Sequence, residues 1–210
     1  MTLDIQRLIA QGYGWGVTVG SFSTGIVGGG AGTALDLDQP ELAIGVGARS
    51  VLVPIYFEAV VQGGISTADS DETEALFAVD SLGLWTGDGT FTSENPSNMN
   101  SKYDKGAPVR VGSAFTADMT TTPRNGGAAA DPVLDMELAG IVETADQAGT
   151  AANVAYRTIR LVYEPLHPEA ITGPASLFGY WGGTIATVGG FARLRFLVLP
   201  EELYMKEVGL

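Results

Sequence analysis

The 210-residue chain has no cysteine, a single histidine and few cations. The missing cysteines exclude disulfide bonds and thiolate metal sites, and one histidine provides too few nitrogen ligands for a typical zinc or copper centre. Only 11 lysines and arginines stand against 24 acidic residues, and the net charge of −13 predicts that most of the surface repels nucleic acid. No run of 18 apolar residues occurs, so the sequence predicts no membrane-spanning helix.

Charge is scarce overall, because only 17% of the residues are charged, whereas 45% are hydrophobic and 29 are glycine. Helical proteins usually carry more charge on their exposed faces, so this composition favours β-sheets joined by glycine-rich loops. It also fits a protein whose surface is largely covered by neighbouring molecules. With 210 residues and no evident linker, the chain fits one domain with a core of its own.

A glycine-rich stretch at residues 23–37, STGIVGGGAGTALDL, invites comparison with a dinucleotide-binding loop. That loop needs three glycines, but the three positions hold Gly28, Gly30 and Thr33. The residues that follow predict strand and turn instead of the helix whose N-terminus would hold the phosphates. We therefore predict no nucleotide cofactor, and we interpret residues 28–32 as a segment that lets two strands turn or approach closely.

Beyond residue 14 the sequence predicts eight or nine strands separated by turn signals, without long helices between them. Alternation of apolar and polar residues is clearest in residues 134–138, 158–163 and 192–198. We predict a sandwich of two four-stranded antiparallel sheets. Five residues of the most apolar stretch are predicted to share one face: Val51, Val53, Ile55, Phe57 and Ala59. The predicted core contains Phe57, Leu134, Met136, Leu161, Leu194 and Phe196.

Two stretches of the chain lie outside this strand pattern. At the N-terminus, Ile5, Leu8 and Ile9 would share one face of a short helix, with Thr2 as a candidate cap. Residues 86–108 are polar and rich in turn signals, so we expect them to form a long excursion from the sandwich.

Few residues in the sequence indicate catalysis or metal binding. Asp69, Asp71, Glu72 and Glu74 could supply oxygen ligands to calcium, but the central glycine of an EF-hand is missing, and a solvated acidic loop is the alternative. His167 lies between two prolines, and no G-x-S-x-G motif accompanies it, so we predict a surface residue. We predict no enzyme activity, cofactor or metal, although a carboxylate pair for glycoside hydrolysis stays open because such pairs form in space.

Four of the 11 basic residues lie in two late strands: Arg157, Arg160, Arg193 and Arg195. Outward-facing arginines on a sheet can bind phosphate or carboxylate groups. Because the chain as a whole is acidic, we expect these arginines to meet the acidic surface of a neighbouring molecule. Charge pairing across strands within the chain is the alternative.

Two stretches suggest a family. In LAIGVGARSVLVPIYFEAVVQ an apolar strand follows a glycine-containing turn, and in GPASLFGYWGGTIATVGGFARLRFLVLPEELY a strand of small residues, a Gly/Thr turn and an apolar strand close the chain. Over residues 15–200 this succession of strands resembles the single jelly-roll capsid proteins of tailless icosahedral viruses. The resemblance implies an antiparallel eight-stranded jelly-roll β-sandwich at 15–200, an N-terminal arm or short helix at 1–14 and a C-terminal tail at 201–210.

The resemblance further implies a structural virion protein. Such a subunit would pack with copies of itself, with or without a second capsid protein, into a shell around a viral genome, with or without an internal membrane beneath it. It would assemble in the host cytoplasm without sequence-specific contacts to nucleic acid. Apolar residues of the two terminal stretches would otherwise be exposed to water, so we expect them to dock on neighbouring subunits, with folding back onto their own sandwich as the alternative. These residues are Leu3, Ile5, Leu8, Leu203, Met205 and Val208.

Two other classes stay open, because a fold does not fix a function. A non-catalytic binding module, such as a receptor-binding spike or a lectin-like or trimeric tumour-necrosis-factor-like sandwich, would line a ligand groove with exposed Trp85, Tyr103 or Trp181. A jelly-roll enzyme of the cupin type needs several histidine ligands, which this sequence cannot supply.

Overall fold

The structure is a computed structural model that describes residues 3–28, 35–64, 71–103, 105–145, 156–183 and 189–209. Two short helices flank the strands: α1 (Ile5–Ala10) and α2 (Glu201–Val208). The strands are, in chain order, β1 (Gly14–Val19), β2 (Ile26–Val27), β3 (Leu42–Val46), β4 (Ser50–Gly64), β5 (Asp71–Asp80), β6 (Gly83–Leu84), β7 (Thr90–Ser93), β8 (Ser97–Asn98), β9 (Arg110–Ala117), β10 (Thr122–Pro123), β11 (Met136–Ala145), β12 (Tyr156–Tyr163), β13 (Ile171–Thr172), β14 (Ala175–Gly183) and β15 (Gly189–Pro200).

The strands form two large antiparallel sheets, which confirms the prediction of an all-β, sandwich-like fold. The first sheet has the order β12-β4-β15-β1-β8, with β13 added to β4 and β2 added to β15. The second sheet has the order β11-β5-β14-β3-β9-β7. Each sheet has more strands than the predicted four, because short strands extend the first sheet and the segment between β5 and β11 adds β7 and β9 to the second.

The main core lies between the inner faces of the two sheets. Phe57 of β4 stacks on Phe77 of β5 with ring centroids 4.1 Å apart, which joins the sheets at their centre. Four of the predicted core residues are buried here: Phe57, Leu161, Leu194 and Phe196. The other two need correction, because Leu134 and Met136 are only half-buried. Leu134 precedes β11 and Met136 begins it, and β11 is an edge strand with no further strand beside it on this path.

A β-bulge at Pro54 interrupts the longest strand, β4. In the register with β15, Arg195 lies opposite Tyr56 and Phe196 lies opposite Pro54, so Ile55 is an extra residue on β4. Proline lacks the N–H group that a regular ladder requires, and a bulge is one of the places where a sheet accommodates it.

The bulge makes the two halves of β4 present opposite faces to the core. Phe57 and Ala59 belong to the core between the sheets, whereas Val51 and Val53 belong to a separate cluster on the outer side of the first sheet. The prediction that these residues share one face was therefore wrong, since a single inserted residue exchanges the two faces of a strand.

The segment between β5 and β11, residues 81–135, extends both sheets, since β9 and β7 continue the second sheet and β8 pairs with β1 of the first, and part of it also packs on the outer face of the second sheet. Its Trp85 and Phe115 are buried against Tyr180 of β14. Strand β14 is consequently buried on both faces along its whole length. The predicted excursion at 86–108 is part of this segment, which we call the insertion.

The two helices cover the outward-facing apolar residues at one end of the first sheet. Helix α1 begins after Asp4, whose carboxylate accepts a hydrogen bond from a backbone N–H of the first turn, whereas the predicted cap Thr2 lies outside the described residues. Within the predicted C-terminal tail, Glu201–Val208 form α2. This helix ends at Gly209, which has the left-handed conformation typical of a C-cap, with φ 79°.

Candidate interaction surface

The open part of the first sheet's outer face carries basic residues from two strands. Because residues two apart in a strand share a face, β15 presents Arg193 and Arg195 outward, and β12 presents Arg160. Strand β4, which lies between β12 and β15, contributes Tyr56 and Glu58. We call this group the arginine face: Tyr56, Glu58, Arg160, Arg193 and Arg195.

Glu58 holds the arginine face together. Its carboxylate accepts hydrogen bonds from Arg160 Nε at 2.7 Å and from the Tyr56 hydroxyl at 2.9 Å, and Arg193 Nη1 lies 3.9 Å away. The Glu58 side chain is only 10% exposed, whereas those of Arg160 and Arg193 are 61% and 59% exposed. Charge pairing within the chain therefore occurs for these two arginines, but both keep exposed surface for a partner. The side chain of Arg157 lies outside the described residues.

The protonation states of this group follow from its geometry. Burial alone would raise the pKa of Glu58, but hydrogen bonds from Arg160 and Tyr56 and the charges of the arginines outweigh burial and hold the pKa below the ordinary 4.5. Burial and the adjacent Glu58 carboxylate raise the pKa of Tyr56. At neutral pH the arginine face thus combines three positive charges with one negative charge.

Aromatic rings flank two of the arginines. The Arg195 guanidinium lies 5.8 Å from the ring centre of Tyr56, and that of Arg193 lies 5.6 Å from the ring centre of Phe191. Phe191 meets the 77% exposed Phe22 edge to face at 6.5 Å. A cleft of about 230 Å³ opens beside these two phenylalanines. Arginine and aromatic side chains in this combination are typical of protein interfaces.

A second charged surface lies on the opposite side of the sandwich, beyond the second sheet. It consists of Asp38 and the three aspartates whose charges act on it, which we call the aspartate cap: Asp36, Asp38, Asp118 and Asp131. The backbone N–H of Met119, next to Asp118, donates a hydrogen bond at 2.9 Å to the Asp38 carbonyl and so joins the two loops. The Tyr180 hydroxyl donates a hydrogen bond at 3.0 Å to a carbonyl of the loop that carries the first two, and the Gln39 amide donates to the Asp118 carboxylate at 2.8 Å. Burial, followed by the charges of the other three aspartates, raises the pKa of Asp38 above 3.8.

Three of the four acidic residues that the sequence suggested as calcium ligands lie in a strand. Asp69 lies outside the described residues, while Asp71, Glu72 and Glu74 belong to strand β5, which corrects the predicted loop. The Glu74 carboxylate accepts a hydrogen bond from the backbone N–H of Leu35 at 2.8 Å. Among the residues that the structure describes, no group of three or more histidine, cysteine, aspartate or glutamate side chains could hold a metal ion.

The predicted assembly contacts lie on or beside the terminal helices, and most of them pack on their own first sheet. Leu8 is fully buried there. Three others pack around it: Leu3, Ile5 and Leu203. An ion pair between Arg7 and Glu207 joins the two helices. Leu8 therefore packs on the sandwich of its own chain, which was the alternative to a contact between subunits. Contact with a neighbouring subunit stays a prediction for Met205, which is 39% exposed, and for Val208, which lines an open cleft.

The remaining candidate residues differ in exposure. Trp85 and Trp181 are 1% and 0% exposed, because the insertion and the core enclose them, so they cannot line an open groove as predicted. Tyr103 is 41% exposed and lines a cleft of about 510 Å³. His167 is exposed in the loop after β12, and within the described chain its imidazole forms no hydrogen bond with a carboxylate or hydroxyl.

Gly28 is the glycine of residues 28–32 that the structure describes, and it has a structural role. A Cβ atom on Gly28 would lie 2.3 Å from the carbonyl oxygen of Trp181, so glycine allows the backbone to approach β14 closely. The predicted close approach is confirmed at this residue, and residues 29–32 lie outside the described ranges.

Sequence reasoning missed Glu58 and the aspartate cap for different reasons. A signal for Glu58 was present, because the alternation that placed Phe57 and Ala59 on the core face also placed Tyr56 and Glu58 on the opposite, outward face. The cap had no local signal beyond the pair Asp36 and Asp38, since its other members are brought in by the insertion.

Comparison with known proteins adds no family to this description. The chain matches no protein-family model and no curated protein. Within the described ranges, neither helix is long and apolar enough to cross a membrane. A functional assignment therefore depends on the fold and on the two charged surfaces.

Proposed function

We propose that this chain is a structural virion protein, a jelly-roll subunit that assembles into the icosahedral shell of a tailless virus. It would pack with copies of itself, with or without a second capsid protein, and enclose the viral genome with or without an internal membrane. Assembly would take place in the host cytoplasm. The proposal includes no enzyme activity and no sequence-specific contact with nucleic acid.

The pairing of the strands supports the jelly-roll part of the proposal. With the insertion set aside, eight strands of five or more residues remain: β1, β3, β4, β5, β11, β12, β14 and β15. The first of these pairs with the eighth, the second with the seventh, the third with the sixth and the fourth with the fifth. This nested pairing is that of a long antiparallel hairpin, and a jelly roll with two Greek keys results when such a hairpin is wound into a sandwich.

The observation that carries the assembly part of the proposal is the arginine face. Part of the insertion packs on the outer side of the second sheet, and the helices cover one end of the first, but no described segment covers the arginine face, where Arg160 and Arg193 keep 61% and 59% of their side-chain surface exposed. It is positively charged on a chain whose net charge is −13. Arginine and tyrosine are enriched among the residues that dominate binding energy at interfaces, and complementary charge steers association. A fold alone does not fix a function, so the arginine face is stronger support for the proposed shell subunit than the sandwich fold is.

Size-exclusion chromatography with light scattering, followed by negative-stain electron microscopy, tests the proposal on the purified full chain. We expect regular capsomers or closed particles at low ionic strength. Association should weaken at high salt, because the Debye length falls from about 10 Å at 0.1 M to about 3 Å at 1 M. A chain that stays monomeric at all concentrations and salt conditions would contradict self-assembly.

A second candidate is a non-catalytic binding module, such as a receptor-binding spike or a lectin-like sandwich. The cleft at Tyr103 favours it, because Asn95, Asn98 and Lys105 surround the exposed ring with polar groups. A ring flanked by convergent hydrogen-bonding groups is suited to a small polar ligand such as a sugar. Glycan-array binding by a discrete trimer, abolished by Tyr103→Ala, would favour this function over the shell subunit.

A further inference from the structure

We propose that the arginine face of one copy docks on the aspartate cap of a second copy, in a head-to-tail contact. The inference rests on the proposed function, because it presumes that copies of this chain assemble. It adds the two surfaces that meet, and it predicts that they are different surfaces of the subunit.

The two surfaces cannot meet within one chain. The arginine face is the outer side of the first sheet, whereas the aspartate cap is attached through Tyr180 beyond the outer side of the second sheet. Both sheets and the core between them separate the two surfaces. Each surface can therefore meet its complement only on another molecule, and repetition of such a heterologous contact produces a ring or an extended assembly.

Among the described residues, each surface carries an excess of one charge. The arginine face has three cations and one glutamate. In the cap, burial and the charges of Asp131, Asp36 and Asp118 together raise the pKa of Asp38, so these three carboxylates disfavour the charged form of the fourth. Docking would place opposite charges together and relieve the repulsion inside the cap. A symmetric dimer through either surface would instead place like charges in contact, which the same electrostatics disfavour.

The arginines are also held in place before a partner arrives. Glu58 binds Arg160 and lies near Arg193, while the Tyr56 ring lies against Arg195. An ordered side chain loses less conformational entropy on docking, so preorganisation favours binding at this surface. The guanidinium fork also suits the bidentate recognition of carboxylates.

Charge reversal on each surface tests the contact. Arg195→Glu leaves the hydrogen bonds of Glu58 intact, and Asp131→Arg changes an exposed member of the cap. We expect each variant alone to associate at least about tenfold more weakly than the wild type in sedimentation velocity at low salt. An equimolar mixture of the two variants should associate again, because the reversed face of one variant complements the reversed cap of the other.

Matched controls separate this contact from a general effect of net charge. Lys102→Glu in the insertion and Glu202→Arg on α2 change the charge of exposed residues by the same amounts, and both should associate like the wild type. Thermal melting by circular dichroism checks that every variant is folded. If folded Arg195→Glu and Asp131→Arg assemble normally, or their mixture stays dissociated, the head-to-tail contact is overturned while the shell function stands. A wild-type chain that never associates overturns both.

Discussion

Replacing Leu8 with alanine tests whether the N-terminal helix belongs to the fold of its own chain. Leu8 is fully buried against Val51, Val53, Leu197 and Leu199 on the outer side of the first sheet. Helix α1 has only six residues, which is too short for a stable isolated helix, so its stability comes from this packing. The substitution removes the side chain that anchors the helix.

The expected loss follows from the burial of the side chain. Substitutions of buried leucine by alanine cost about 2–5 kcal/mol, depending on how far the surroundings collapse into the cavity. Because a short helix can settle into the gap, we expect the free energy of unfolding to fall by about 2–3 kcal/mol. For a chain of this length the Tm should fall by about 4–12 °C. Urea denaturation followed by tryptophan fluorescence measures the loss, with an unchanged m value.

Met205→Ala is the matched control, because Met205 lies on the other terminal helix and is 39% exposed. Its free energy of unfolding should change by no more than about 0.5 kcal/mol. If Leu8→Ala costs less than about 1 kcal/mol and abolishes assembly instead, the reasoning is refuted, and Leu8 is a contact between subunits.

Three further substitutions test individual features of the structure. Glu58→Gln should cost about 1 kcal/mol at neutral pH, a modest value because the arginines are exposed. The pKa of Glu58 in the folded protein lies below the ordinary 4.5, so the stability that its carboxylate contributes is complete above pH 4.5 and is lost as the pH falls through the folded pKa. Urea denaturation between about pH 6 and pH 3 should therefore show less acid destabilisation in Glu58→Gln than in the wild type. Gly28→Ala should cost about 1–3 kcal/mol in the same assay, because its Cβ would lie 2.3 Å from the Trp181 carbonyl oxygen, whereas Gly47→Ala meets no described atom within 4 Å and should be neutral. His167→Ala should leave Tm and assembly unchanged, because the imidazole is exposed, and a loss of assembly without unfolding would reveal a site that we missed.

Strand β15 was predictable because its alternation is uninterrupted. Its inward residues are Ala192, Leu194, Phe196 and Val198, and its outward residues include Arg193 and Arg195, as the sequence indicated. In a regular strand, successive side chains point to opposite faces, so an apolar and polar alternation in the sequence shows which residues face the core.

The faces of strand β4 were predicted wrongly because one extra residue, Ile55, interrupts the two-residue alternation of its side chains. Val51 and Phe57 are both fully buried, so burial alone could not reveal that they face different clusters. Pro54 was the available signal, since proline inside a paired strand indicates a bulge.

The features that the sequence could not supply depend on contacts between distant segments. The sequence suggested Trp85 and Trp181 as exposed aromatic residues, but in the structure the insertion encloses Trp85 and the core between the sheets encloses Trp181. The aspartate cap likewise needs residues that are about a hundred positions apart. Helix α2 was different, because local signals were present: Glu201 and Glu202 in its first turn and Gly209 after its last.

Cryo-electron microscopy of the assembled wild-type chain tests most directly whether the protein is a shell subunit joined through unlike charged surfaces. We predict closed particles in which Arg195 of each copy lies against Asp131 of a neighbour. Particles whose arginine faces point into solvent, or preparations that contain only monomers under every condition, would contradict the account.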